Sequence, residues 1–190
     1  MNKIFSKLTK LPKNLRYFGD SKLRLKSQSV PIHKIGSVNV KNEIKYCSST
    51  LKEIRKKIGL GVALAAPQIG INKRIIVAYL DGDFCVFINP KILKRSKQKG
   101  IYKEMCLSGI PFAADVVRPW IVQVEYLDNN GIVHKEKLNS RLSRMFQHEV
   151  DHLDGILFID RMEKGTAIFV NDFSKYKSET KLIKLNTKKS

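Results

Sequence analysis

From Glu43 onward, Ile44, Cys47, Leu51, Ile54 and Ile58 recur at steps of three and four residues. That is the spacing of a helix burying one face, and Gly59 stands where a left-handed cap would end it. The period then changes. Residues 74–80 and 84–89 are β-branched and aromatic runs joined by Asp81-Gly82-Asp83, a hairpin with an Asp-Gly turn, and Pro90 is expected to close the second strand. A further pair, 120–127 and 132–138, flanks Asn129-Asn130-Gly131, another turn of hairpin type. In its first run Ile121, Gln123 and Glu125 alternate with Val122, Val124 and Tyr126, so one face is expected to meet solvent. Ser140 is placed to cap a second helix reaching about Leu153, with Leu142, Met145, Phe146, Glu149 and Leu153 on one side and Gly155 as its stop. Strand pairs followed by a helix, without βα alternation, predict an α+β fold of antiparallel sheets packed around a central helix.

Composition and charge refine this picture. The chain has 190 residues, 43% hydrophobic and 28% charged, which suits one globular core and excludes a disordered, collagenous or coiled-coil chain. The longest apolar run, 60–67, is far short of a membrane span. Three cysteines without a spacing pattern, Cys47, Cys85 and Cys106, argue against a disulfide framework and for a reducing compartment, cytoplasm or organelle matrix. The net charge is +19 and lies at the ends: residues 1–60 carry 15 Lys/Arg against 3 acids, residues 61–160 carry 13 against 11, and residues 161–190 carry 8 against 3. Such ends suit a polyanionic surface, the ribosome included, or simply keep the chain soluble. No aromatic-rich RNA-binding run or zinc-knuckle spacing appears, so sequence-specific nucleic-acid recognition is not expected. The expected organisation is a basic N-terminal extension over 1–14, one folded domain over 15–165 and a basic C-terminal segment over 166–190. The extension, with Lys3, Lys7, Lys10 and Lys13 and no acid, also admits reading as a short organelle-targeting segment.

The chemistry lies in the second helix. His148-Glu149-Val150-Asp151-His152 is an HExxH sequence, and residues four apart share a helix face, so both imidazoles can reach one ion with the Glu beside it. With 4 His and 8 Glu in the chain, chance would supply this pattern about 0.004 times. Catalytic sites usually take three protein ligands, and the third donor here is a Cys, His, Asp or Glu from elsewhere. Cys106, in the polar stretch Glu104-Met105-Cys106-Leu107-Ser108, is the preferred candidate, since Cys47 falls on a helix's core stripe and Cys85 inside an apolar strand. Asp151 and Asp154 are candidates for orienting an imidazole or for capping the helix end.

Three segments together carry a family resemblance. Gly61-Val62-Ala63-Leu64-Ala65-Ala66-Pro67-Gln68-Ile69-Gly70, then Glu104-Met105-Cys106-Leu107-Ser108, then Gln147-His148-Glu149-Val150-Asp151-His152-Leu153-Asp154-Gly155 resemble, in order and spacing, the motifs of peptide deformylases. The resemblance spans roughly residues 15 to 165 and extends to Asn89-Pro90, Arg118-Pro119, Arg144 and the 157–161 run. It implies a deformylase-like fold around a metal-binding helix. The implied reaction is removal of the formyl group from the N-terminal formylmethionine of nascent polypeptides. It also implies that Cys106, His148 and His152 bind one divalent metal, that Glu149 carries the proton, and that Gln68 with the backbone N–H of Leu107 holds the formyl oxygen. The resemblance favours ferrous iron, while a mixed thiolate and imidazole set also suits zinc, nickel or cobalt.

For the substrate, Gly61, Met105, Arg144 and Met145 are the candidate binding residues, and Leu142, Phe146 and Ile101 are further candidates for the walls of a methionine slot. Two residues depart from the family pattern: Ala63 and Met105 stand where glycine is usual. Glycine in a site permits positive φ or close approach, so these positions predict crowding and a lowered activity as one alternative. The 109–111 stretch carries one extra residue that would reshape the rim. A metalloprotease using the same HExxH pattern is the other alternative.

Overall fold

The computed structural model describes residues 3–176, 178 and 180–183. A short helix, α1 (Lys3–Leu8), precedes the long helix α2 (Val38–Ile58). Ser37 caps α2 by accepting a hydrogen bond from the Val40 N–H at 3.4 Å, so the helix begins before the predicted Glu43, and Gly59 ends it with φ 74°, as the sequence predicts. Strands β1 (Ala63–Ala65), β2 (Ile75–Leu80) and β3 (Asp83–Arg95) follow, then β4 (Lys99–Met105), β5 (Phe112–Pro119), β6 (Ile121–Leu127) and β7 (Val133–Asn139). Helix α3 (Ser140–Leu153) and two short strands, β8 (Ile168–Phe169) and β9 (Thr180–Leu182), complete the order.

A five-stranded sheet runs β1-β2-β3-β6-β7 and a four-stranded one β8-β5-β4-β9, with all strand pairs antiparallel. The fold is thus α+β. The two helices cover opposite faces of the larger sheet, because alternate residues of a strand point to opposite sides. On one face Val40, Cys47, Leu51 and Ile54 of α2 join Leu64, Ile75, Val77 and Ile88. On the other, Met145, Phe146, Val150 and Leu153 of α3 join Ala63, Ala65, Ile76, Ala78, Val122 and Val124. Burial on both sides explains why Ile75-Ile76-Val77-Ala78 is continuously apolar and fully buried.

The hairpin between β2 and β3 is tighter than expected: Leu80 pairs with Asp83, so Asp81 (φ 50°) and Gly82 (φ 100°) form a two-residue turn. Strand β3 also passes Pro90 rather than ending there. The register shifts between Ile88 and Lys91, and Asn89 takes φ 51°. The Asn89 side chain accepts from the Val30 N–H and donates to the Val30 carbonyl, both at 2.8 Å. A bulge therefore absorbs the proline's missing donor.

The second sheet leaves no period in the sequence, and its inward residues say why. Along β4 the buried positions are Gly100, Tyr102 and Glu104, and along β5 they include Ala114, Val116 and Arg118. A glutamate and an arginine on the buried face break the apolar alternation that marks a strand.

Cys47 is fully buried, and burial, with a contribution from Glu43, pushes its thiol up to about 12. It is a small core residue on α2, in line with its position on the predicted stripe.

Candidate metal centre and active site

Helix α3 places His148 and His152 one turn apart with ring centroids 5.1 Å from each other. Cys106 sits just past the end of β4, which pairs with β5 from Lys99↔Pro119 to Met105↔Ala113. The Cys106 Sγ lies 3.1 Å from His152 Nε2, and the donor atoms of Cys106, His148 and His152 all fall within 4.8 Å of one another, buried. One thiolate and two imidazoles at that spacing are a donor set for a single borderline-soft divalent ion. The sequence-based choice of Cys106 over Cys47 and Cys85 is therefore the one the geometry brings together with both histidines.

The residue that orients an imidazole is Glu104, not Asp151 or Asp154. His148 Nδ1 lies 2.8 Å from Glu104 Oε2, leaving Nε2 to face the cluster. Arg118 then donates to Glu104 through Nε at 2.6 Å and Nη2 at 3.0 Å, and to Asp151 through Nη1 at 2.7 Å. Arg161 also donates twice to Asp151, while Asp154 takes Arg74 at 2.6 Å. Two strands of the smaller sheet and helix α3 are thus tied by one buried ionic chain. Arg118 is 3% exposed and Glu104 0%, so neither charge has water to fall back on.

The electrostatics follow from this packing. Burial works against Glu104's charge, but Arg118 and His148 outweigh it and hold its carboxyl down near about 2. For His148 burial likewise disfavours the charge, yet the Cys106 sulfur and the Glu104 carboxylate raise its pKa to about 10. Burial and the neighbouring His148 hold His152 well below the usual imidazole value. Metal ligation requires neutral rings and a thiolate, so an ion bound here would displace the proton His148 otherwise carries. Burial raises the Glu149 carboxyl, and its Oε2 has no hydrogen-bond partner, the state of a group left available to a reacting proton.

These groups open on a cavity of about 220 Å³. Gln68 enters it from the 3-10 turn Ala66–Ile69 that follows β1. Its Oε1 accepts from the Ala65 N–H at 2.9 Å, which fixes the amide so that Nε2 points to Ser108 Oγ at 3.0 Å and Cys106 Sγ at 3.5 Å. Leu107 and Glu149 line the same space, as do Gly61, Met105, Arg144 and Met145. Of the proposed slot walls, Met145 is in place. Phe146 instead packs into the sheet core, Leu142 is 43% exposed, and Ile101 does not reach the cavity. Ile110, from the stretch expected to reshape the rim, is in place, and three contributors escape the sequence reading: Leu60, Tyr176 and Ser178. The last two lie in a stretch without a usable period.

The two departures from glycine cause no backbone strain, since neither Ala63 nor Met105 has positive φ. Ala63 packs under α3, and Met105 faces the cavity, where it narrows the space.

Comparisons with known proteins agree with this geometry. The profile of the family described as polypeptide deformylase matches residues 12–167. A peptide deformylase of Picosynechococcus sp. is 37% identical over 162 residues, covering 83% of this chain and 82% of the relative. Among solved structures, the peptide deformylase of Thermotoga maritima superposes with a TM-score of 0.71 at 34% identity, covering 78% of this chain and 96% of its own. That of Synechococcus elongatus, solved in complex with actinonin, gives 0.71 at 38% identity, covering 80% and 79%.

Proposed function

We propose a division of labour among named residues for a chain that belongs to the polypeptide deformylase family and is a metal-dependent hydrolase removing the formyl group from N-terminal formylmethionine of nascent polypeptides. Family membership sets aside the metalloprotease alternative. The observation that carries the assignment of roles is the convergence of Cys106, His148 and His152 at the wall of the cavity that Cys106 and His148 line together with Glu149 and Gln68.

Cys106, His148 and His152 would hold the cation, which would supply Lewis acidity to activate water for attack on the formyl group. Gln68, its amide fixed by Ala65, and the Leu107 N–H donate to that oxygen as negative charge grows on it. Glu149 takes the proton of the attacking water and returns it to the departing amine, so the carbon–nitrogen bond breaks to give formate and a free amino terminus. Met105 and Met145 offer apolar surface to the methionine side chain, and Gly61, with Arg144, binds the peptide. For the ion we favour ferrous iron, with zinc, nickel or cobalt as alternatives on the same mixed donor set.

The test is formate release. Purified protein prepared without oxygen is expected to liberate formate from formyl-Met-Ala-Ser and to leave casein intact; casein cleavage without formate would refute the assignment.

We also propose that the basic termini meet the ribosome and that the enzyme works in the cytoplasm. No helix among the described residues is long and apolar enough to cross a membrane. Lys7 and Lys175 both act on Asp172, so one lysine from each basic end lies near that carboxylate. Replacing Lys7, Lys10, Lys13 and Lys175 with Ser is expected to weaken salt-sensitive co-sedimentation with ribosomes while sparing turnover of a short peptide. Co-sedimentation unchanged by the four substitutions would contradict this.

A further inference from the structure

We propose that Arg144, together with Tyr176 and Ser178 of the C-terminal segment, forms a subsite that selects the residue after formylmethionine, favouring an acidic side chain. The proposal rests on the deformylase reading above, which fixes where the formyl end of the substrate sits.

Part of the cavity wall comes from beyond the family's matched span. That span ends at residue 167, yet Tyr176 and Ser178 line the cavity. Both hydroxyls donate to the Lys103 carbonyl at 2.8 Å, and β9 adds to the edge of β4 through Tyr102↔Thr180 and Gly100↔Leu182. Val170 and Phe173 are buried in the main core. The segment is therefore fastened to the body of the protein at several points, and its side chains are a fixed part of the site.

Arg144 supplies the charge. It lines the same cavity, and its Nε is buried without a hydrogen-bond partner. Arg16 donates to Asp20, Arg55 to the Gly61 carbonyl, Arg74 to Asp154 and Arg118 to Glu104, whereas Arg144 has no acceptor among the described residues. A guanidinium is always charged and carries five donors. Left without an acceptor in a half-buried setting it is destabilising, and a bound carboxylate relieves that cost. Among the described residues the one acid lining the cavity is Glu149, which the reaction occupies.

Spacing decides which part of the substrate Arg144 meets. It stands four residues before His148 on α3, so its Cα is about 6 Å along the helix from that ligand's. An extended peptide advances about 3.3 to 3.6 Å per residue. With the formyl carbon beside the histidines, the second residue of the chain lies about 7 Å away, within reach of an arginine side chain.

The experiment compares kcat/KM for two otherwise identical formylated peptides, formyl-Met-Glu-Ser and formyl-Met-Lys-Ser, on the metal-loaded full chain. The wild type is expected to favour the glutamate peptide about tenfold, mainly through KM and less so at high salt. In Arg144→Met the ratio is expected to fall to about one, while Arg144→Lys, which keeps the charge, retains part of the preference. A wild-type ratio near one, or a ratio unchanged in Arg144→Met, overturns the proposal. Should Arg144→Met not fold, the wild-type ratio and its salt dependence decide alone. Absence of formate from every peptide would instead overturn the deformylase reading itself.

Discussion

Glu149→Gln protein is expected to fold, to bind its metal as the wild type does, and to release formate about 10² to 10⁴ times more slowly. The glutamine is nearly isosteric, so the cavity keeps its shape, and none of the three ligand atoms is touched. What is lost is the group that can accept the proton from water. Glu149 is suited to that task because it is 5% exposed and one of its oxygens has no partner in the protein. A side chain serving only structure would be expected to use both oxygens in hydrogen bonds. Steady-state formate release alongside metal analysis checks the prediction. A Glu149→Gln enzyme with near wild-type turnover would show that another group moves the proton.

The second large effect concerns stability. Arg118→Leu removes the cation that Glu104 and Asp151 share, leaving the Glu104 carboxylate buried at 0% exposure with His148 as its remaining partner. Breaking a buried ionic network from one side costs about 3 to 5 kcal/mol, and for a chain of this size that lowers Tm by roughly 10 °C. Thermal unfolding of the metal-free proteins measures it without interference from ligand binding. A shift below about 2 °C would mean the carboxylates are hydrated or protonated at little cost. Asp151 is less affected than Glu104, because Arg161 still donates to it.

The contrast between these two residues bears on what the sequence discloses. Glu149 announces itself: HExxH places it beside a histidine at a spacing that only a helix makes meaningful. Likewise the stripe ending at Ile58 and Gly59, and the turns at Asp81-Gly82 and Asn129-Asn130-Gly131, carry their structure in local periods and turn chemistry. Cys106 is legible by elimination, since its two fellow cysteines sit in apolar patterns. Glu104 and Arg118 are not legible in the same way. Their partnership joins residues 14 apart across a strand pair, and each interrupts the alternation by which its strand would be recognised. A strand shows its period only where inward positions are apolar, and here the inward positions carry the ion pair that orients a ligand.

The same limit hides Tyr176 and Ser178. They reach the cavity because β9 docks on the free edge of β4, and edge pairing over so short a strand leaves almost no local signature. Phe146 shows the converse: it and Met145 both pack against the larger sheet, yet Met145 alone of the two also lines the cavity. Consecutive residues on a helix point about 100° apart, so one can reach a cleft that the next cannot.

The central claim, that one thiolate and two imidazoles hold the reactive cation, is tested most directly by the near-ultraviolet absorption of the cobalt-substituted protein. A thiolate ligand gives cobalt a charge-transfer band that nitrogen and oxygen donors do not. The band is expected in the wild type and in Cys47→Ala and Cys85→Ala, and is expected to vanish in Cys106→Ser. A band that survives unchanged in Cys106→Ser would place the metal on another sulfur and contradict the account.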